Sequence, residues 1–215
     1  MASSIPPVGD RIREERTRRG LSVRQLARDV GVSASLISQI ENARSRPSVS
    51  TLYAITQALG ISVEDVFDTA AEVVSAPAES ATRLPSVVEA LAASAGTDVG
   101  LGPLVRPAER EVLQLDSGVT WERLGRIPGV QIDFMLVTYA PGGSSSSTSQ
   151  SMRHAGEEYG YLISGALLLT LGFDEYAIGP GDAVAFASST PHRYRNDGEV
   201  PAVGIWAVVQ ADLRS

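Results

Sequence analysis

The chain has 215 residues, no cysteine, a formal net charge of −7 and 43% hydrophobic content, enough for two small packed domains. Disulfides and thiolate metal sites are thereby excluded. No stretch approaches the roughly 18 apolar residues that span a bilayer, and no apolar leader precedes the first charged helix, so a cytoplasmic location without membrane contact is expected. The charge is uneven: residues 10–50 carry nine arginines against five acids, whereas residues 70–215 carry nine arginines against seventeen. A locally basic segment suits a nucleic-acid face and an acidic remainder discourages indiscriminate adhesion, although a solvated arginine-rich helix would give the same tally.

Five short helices are predicted over residues 1–69. The first runs over 10–19 and stops at Gly20, a residue that tolerates positive φ. Ser22 and Gln25 form a capping box that opens a second helix over 22–30, with Leu26 and Val30 inward and Gly31 behind it. Ser33 caps a third helix over 33–41, where Ile37 and Ile40 are buried and Ala34, Ser35, Ser38 and Gln39 face outward. A fourth helix over 48–59 turns Leu52, Ile55 and Leu59 inward and ends at Gly60. Ser62 caps a short fifth one with Val66 and Phe67.

Residues 70–103 are rich in Ala, Ser, Pro and Gly, with Pro77 and Pro85 blocking a long helix, and are expected to be a linker with at most a helical turn or two over 86–95. From 104 to 215 the pattern changes to short β-type runs, predicted over 111–115, 132–139, 159–163, 166–171, 175–178, 183–186, 192–196 and 202–209. This spacing indicates a sandwich or barrel. Residues 144–149, SSSSTS, are expected as a polar loop inside that domain.

Two resemblances follow from these segments. GLSVRQLARDVGVSASLISQIENARSRPSVSTLYAITQALGI resembles the DNA-binding domain of the xenobiotic-response-element family, related to lambda-type repressors. That likeness implies a recognition helix over 33–41 in the major groove, with Ser33, Ala34, Ser35, Ser38 and Gln39 as base readers and Arg24, Asn42, Arg44 and Arg46 as phosphate contacts. Gln39 is the foremost of them, since its amide can pair bidentately with adenine. Val23, where glutamine is frequent, and Glu15, where an apolar residue is usual, depart from the pattern. A vestigial helical domain kept for dimerisation is the alternative.

SMRHAGEEYGYLISG and GPGDAVAFASSTPHRYRN resemble the two motifs of the cupin superfamily, a double-stranded β-helix barrel. The second is nearly complete, whereas Met152 stands where the first usually opens with histidine. The pairing of both domains is similar to a family of helix-turn-helix transcriptional regulators with a C-terminal cupin sensor.

Both histidines of the chain lie in these motifs. Alternation places Gln150, Met152 and His154 on one face, and His192, Tyr194 and Asn196 on another. His154, Glu158 and His192 could therefore converge as two imidazoles and a carboxylate, a set that suits Fe and could also hold Zn, Mn or Ni. A metal-free pocket of hydrogen-bonded histidines is the alternative. Tyr139, Met152, Tyr161, Phe186, Tyr194 and Trp206 are the candidate pocket walls, although such residues are also ordinary core. The expected protein is a non-enzymatic homodimer that binds double-stranded operator DNA and a small-molecule effector. The rival is a mononuclear non-haem iron oxygenase resembling the fosfomycin-type epoxidases, using His154, Glu158 and His192. A metal-storage or purely structural barrel is a third possibility.

Overall fold

The structure, a computed structural model, describes residues 8–67, 104–127, 130–148 and 150–210. The predicted linker over 70–103 lies outside the described residues.

The N-terminal domain is α1 (Val8–Arg18), α2 (Val23–Val30), α3 (Ala34–Glu41), α4 (Val49–Leu59) and α5 (Glu64–Phe67). Its boundaries are set by local caps, of which those at Ser22 and Ser33 were predicted and that at Ser48 was not. Ser22 Oγ accepts from the Gln25 amide while Gln25 Oε1 accepts from the Ser22 amide, and Gly31 closes α2 at φ 77°. Ser33 Oγ accepts from the Leu36 amide and Ser48 Oγ from the Thr51 amide, opening α3 and α4. Ile12, Leu26, Ile37, Leu52, Ile55 and Leu59 are fully buried between the helices.

Two acids are buried with this core. Glu15 pairs with Arg18 at 2.5 Å and Arg11 at 3.3 Å, which accounts for a carboxylate at a position where an apolar residue is usual. Glu41, the last residue of α3, accepts from Arg16 Nε at 2.6 Å and Arg16 NH2 at 3.0 Å. This two-pronged pair ties the C-terminal end of α3 to α1.

The second domain is antiparallel throughout. β1 (Val112–Gln114), β2 (Val119–Gly125), β3 (Ile132–Tyr139), β9 (Ala202–Val209), β4 (Glu157–Ser164) and β7 (Ala183–Ala187) form one sheet in that order. A second sheet is ordered β6 (Asp174–Ile178), β5 (Leu167–Leu171) and β8 (His192–Arg195). Trp121, Met135, Val137, Tyr139, Leu169, Tyr194 and Trp206 fill the space between them.

One expectation is corrected and one is refined. β2 was absent from the predicted strands because its inward set is Val119, Trp121 and Arg123, and the arginine breaks the apolar alternation. Arg123 is buried nonetheless, paired with Glu111 and lying 5.4 Å from the centre of the Phe67 ring of α5. The serine run is a polar loop as expected, but its first half is buried. Ser144, Ser145 and Ser146 are all buried. Ser145 exchanges backbone and side-chain hydrogen bonds with Tyr194, and its carbonyl accepts from the Ser50 amide of α4 at 3.0 Å.

Glu41→Ala leaves the Arg16 guanidinium without its main partner in a nearly closed environment. The expected cost is about 3 kcal/mol of helical-domain stability, read from chemical denaturation. A loss below about 1 kcal/mol would mean that water replaces the carboxylate.

Candidate functional site

α3 presents its polar side outward. Ser33, Ser35, Gln39, Asn42, Arg44 and Arg46 are exposed, as is Arg24 on α2, and Ser38 is half-buried. Gln39 Nε2 donates only a long 3.4 Å bond to Ser35, so its amide is available. Asn42 is more committed, since its Nδ2 donates to the Ser38 carbonyl at 2.6 Å and its Oδ1 accepts from Arg13 at 2.6 Å. Ala34 is half-buried against the helical core rather than fully outward.

The barrel interior gathers three ligand-type side chains. Glu158 is the second residue of β4 and His192 the first of β8. His154 is held by its amide on the Ser188 carbonyl at 3.0 Å, just before Gly156, whose φ of 100° turns the chain into β4. All three are buried, and one ligand atom from each lies within 4.8 Å of the others. Glu158 Oε2 stands 3.5 Å from His154 Nε2 and 3.4 Å from His192 Nε2. Each Nδ1 faces a backbone carbonyl, Ala155 at 3.1 Å and Thr190 at 2.8 Å, and donating there leaves each Nε2 as a lone pair. Neither Nε2 has a hydrogen-bond partner despite complete burial. Unpartnered imidazole lone pairs beside a buried carboxylate, with the opposite nitrogens fixed by carbonyls, match the donor set and outer support of a divalent metal site.

One wall of this site comes from the other domain. Tyr53 of α4 stacks on the His154 ring at 3.9 Å between centroids and 3° between planes, with Trp121 edge-on at 5.8 Å. Val49 and Tyr53 line the cavity together with Met152, Glu158, Tyr139, Tyr194 and Trp206. The remaining space is about 20 Å³, room for one water-sized occupant.

The Helix-turn-helix family model matches residues 12–66 and the Cupin domain model residues 135–208. The chain is 25% identical to the HTH-type transcriptional regulator PuuR of Escherichia coli (strain K12) over 205 residues, covering 94% of this chain and 92% of that protein. It is 26% identical to the regulator SutR of the same organism over 188 residues, 87% of this chain and 86% of that one. The chain belongs with the helix-turn-helix transcriptional regulators that carry a cupin domain. The crystal structure of an HTH_3 family transcriptional regulator from Vibrio cholerae has the same fold, with a TM-score of 0.61, 19% identity and 96% coverage of both chains.

Of the pocket residues anticipated in this regulator, Tyr139, Met152, Tyr194 and Trp206 line the cavity. Tyr161 does not: it is 49% exposed, because Glu158, Gly160 and Leu162 take the inward positions of β4 and put odd-numbered neighbours outside. Phe186 is half-buried and packs on His192 at 5.1 Å without lining the cavity. Gln150 is exposed, since 150–154 is an irregular segment tied to β8 by a single Met152–His192 bridge. Tyr53 and Val49 were missed. Their signal was present in α4, which is apolar on nearly every side and so requires two partners.

Burial pushes His192 below the usual imidazole range, against the pull of the Glu158 charge. Burial alone would raise Glu158, but the contacts with His154, His192 and Tyr194 overcome it and hold the carboxyl below its usual range. The unfolded chain then binds more protons than the native one as pH falls past about 6.5, so stability declines with acid, and Glu158 continues the trend lower. Metal-free protein should show a denaturation midpoint that drops between pH 7.5 and 5.5, with a shallower drop in His192→Gln. An unaltered slope in that variant would assign the proton uptake to other groups.

Proposed function

We propose that this regulator binds operator DNA through α3 as a homodimer and that its barrel receives a small-molecule effector at a divalent metal held by His154, Glu158 and His192. The observation that carries the metal assignment is the pair of buried, unpartnered Nε2 atoms facing one carboxylate. A bound Fe, Zn, Mn or Ni would supply Lewis acidity and open positions for an effector's donor atoms. The protein's part is to fix both imidazoles by their Nδ1–carbonyl contacts and to keep the carboxylate ionised.

DNA reading is supported by the exposed amide of Gln39 and by Arg44 and Arg46 on the loop behind α3, where guanidinium groups supply sequence-blind affinity. Dimerisation is supported by the outer face of the larger sheet, where Phe134, Tyr159, Tyr161 and Ile163 are each 40–49% exposed. Neighbouring apolar side chains left in water at this density favour burial against a second copy. Paired recognition helices would then read half-sites about 34 Å apart, or a multiple of that. The oxygenase alternative rests on the donor set and on the pairing of a helical domain with a cupin, whereas PuuR and SutR, which match 94% and 87% of the chain, are named regulators.

Binding of the tag-free protein to fragments from its own upstream region, measured by fluorescence anisotropy, tests this function. Gln39→Ala should lose about 1–3 kcal/mol of preference between the best fragment and a base-substituted one. Arg44→Ala should weaken all DNA alike and flatten the salt dependence by about one phosphate contact. No preference among fragments at low ionic strength would overturn the regulatory function. Metal analysis of protein purified without chelators should give about one divalent ion per chain, lost in His192→Ala, if the site is filled as proposed.

A further inference from the structure

The barrel cavity is too small for an effector. Small-molecule sites enclose roughly 300–1,000 Å³, against about 20 Å³ here. The helical domain supplies part of what fills the barrel cavity: Tyr53 is 6% exposed and Val49 2%, and both are inserted beside Met152 and Glu158. The seam around them is specifically bonded. The Ser50 amide donates to the Ser145 carbonyl at 3.0 Å, Ser50 Oγ lies 3.4 Å from Ser146 Oγ, and the Asp116 amide donates to the Pro47 carbonyl at 2.9 Å. α4 also begins only seven residues after α3 ends, and the intervening chain carries Arg44 and Arg46.

We propose that the cupin site is a composite of both domains, in which Tyr53 is a specificity-determining wall and α4 must withdraw before anything larger than a water-sized ion reaches His154, Glu158 and His192. An effector that occupies the space of the phenol ring competes with the stack on His154 and breaks the Pro47–Asp116 and Ser50–Ser145 bonds. It thereby frees the segment that joins α3 to α4. The consequence for DNA rests on the regulatory function above, whereas the closure itself does not.

The test uses the two histidines as reporters of access. Tag-free full-length protein in EDTA is treated with diethyl pyrocarbonate, and carbethoxylation is followed by absorbance and located by mass spectrometry. Because the chain has no native cysteine, Ser50→Cys with Ser146→Cys gives a single cross-link across the seam. Oxidation should lock it and slow modification of His154 and His192 about tenfold or more relative to the reduced form, because opening is then blocked. Tyr53→Ala should accelerate modification about tenfold or more, and Tyr53→Phe, which keeps the ring stack, should stay within about twofold of the parent.

The proposal is overturned if the cross-link fails to form on oxidation. It is also overturned if locked and reduced forms react at one rate, or if natively folded Tyr53→Ala reacts no faster than the parent. Zinc titration of the same proteins separates the two ideas. Absence of zinc binding with gated histidines would remove the metal and keep the closure, whereas zinc binding together with equal carbethoxylation rates in locked and reduced protein would do the reverse.

Discussion

Helix α4 has to satisfy two cores at once, and the remaining architecture follows from that demand. Its Leu52, Ile55 and Leu59 face the other helices, while Val49 and Tyr53 face the barrel, so almost no side of it meets water. A helix buried on both sides cannot move relative to one partner without exposing apolar surface, at roughly 25 cal/mol per Å². The polar bonds at its N-terminal end then set where it sits, because an amide such as Ser50 N–H finds its acceptor only at the Ser145 carbonyl. Apolar burial supplies the adhesion and the serine seam supplies the register.

The chain handles its buried carboxylates in two contrasting ways. Glu41 and Glu15 are each matched by arginines within hydrogen-bond reach, which closes their electrostatics and leaves them structural. Among the described residues Glu158 is paired with no arginine; it faces two imidazoles at 3.4 and 3.5 Å whose Nε2 atoms lack hydrogen-bond partners, with the Tyr194 side chain also bonded to it. Three electron-rich atoms pointed at one spot inside a barrel form an arrangement that costs stability unless a cation or protons fill it. That asymmetry, more than the identity of the residues, separates the candidate centre from ordinary buried ion pairs.

Much of this was legible in the sequence, for reasons that differ by segment. The helix boundaries were readable because caps are local: Ser22 and Ser33 act on amides three residues away, and Gly31 and Gly60 end helices with their own φ. The convergence of His154, Glu158 and His192 was readable because two motif resemblances placed them. What failed were features decided across the chain. Arg123 hid β2, since its burial depends on Glu111 and Phe67 from other elements. Tyr161 was misplaced although the inward position of Glu158, three residues earlier, already fixed the parity of β4. The burial of Ser144–Ser146 was not legible because composition alone cannot distinguish serines that face water from serines that face another domain's backbone.

The same limit conceals how the two domains meet. Tyr53 and His154 are 101 positions apart in the chain, and no periodicity in either segment announces that their rings lie parallel at 3.9 Å. The helical domain directs Tyr53 from a second buried face of α4 at the barrel, and the His154 ring, edge-on to His192 of β8 at 5.1 Å, takes its face-to-face stack from that tyrosine. In the closure proposed above, that contact sits on a metal-type ligand at one end and on the helix following α3 at the other, so filling the barrel and shifting the segment between α3 and α4 would be parts of one rearrangement.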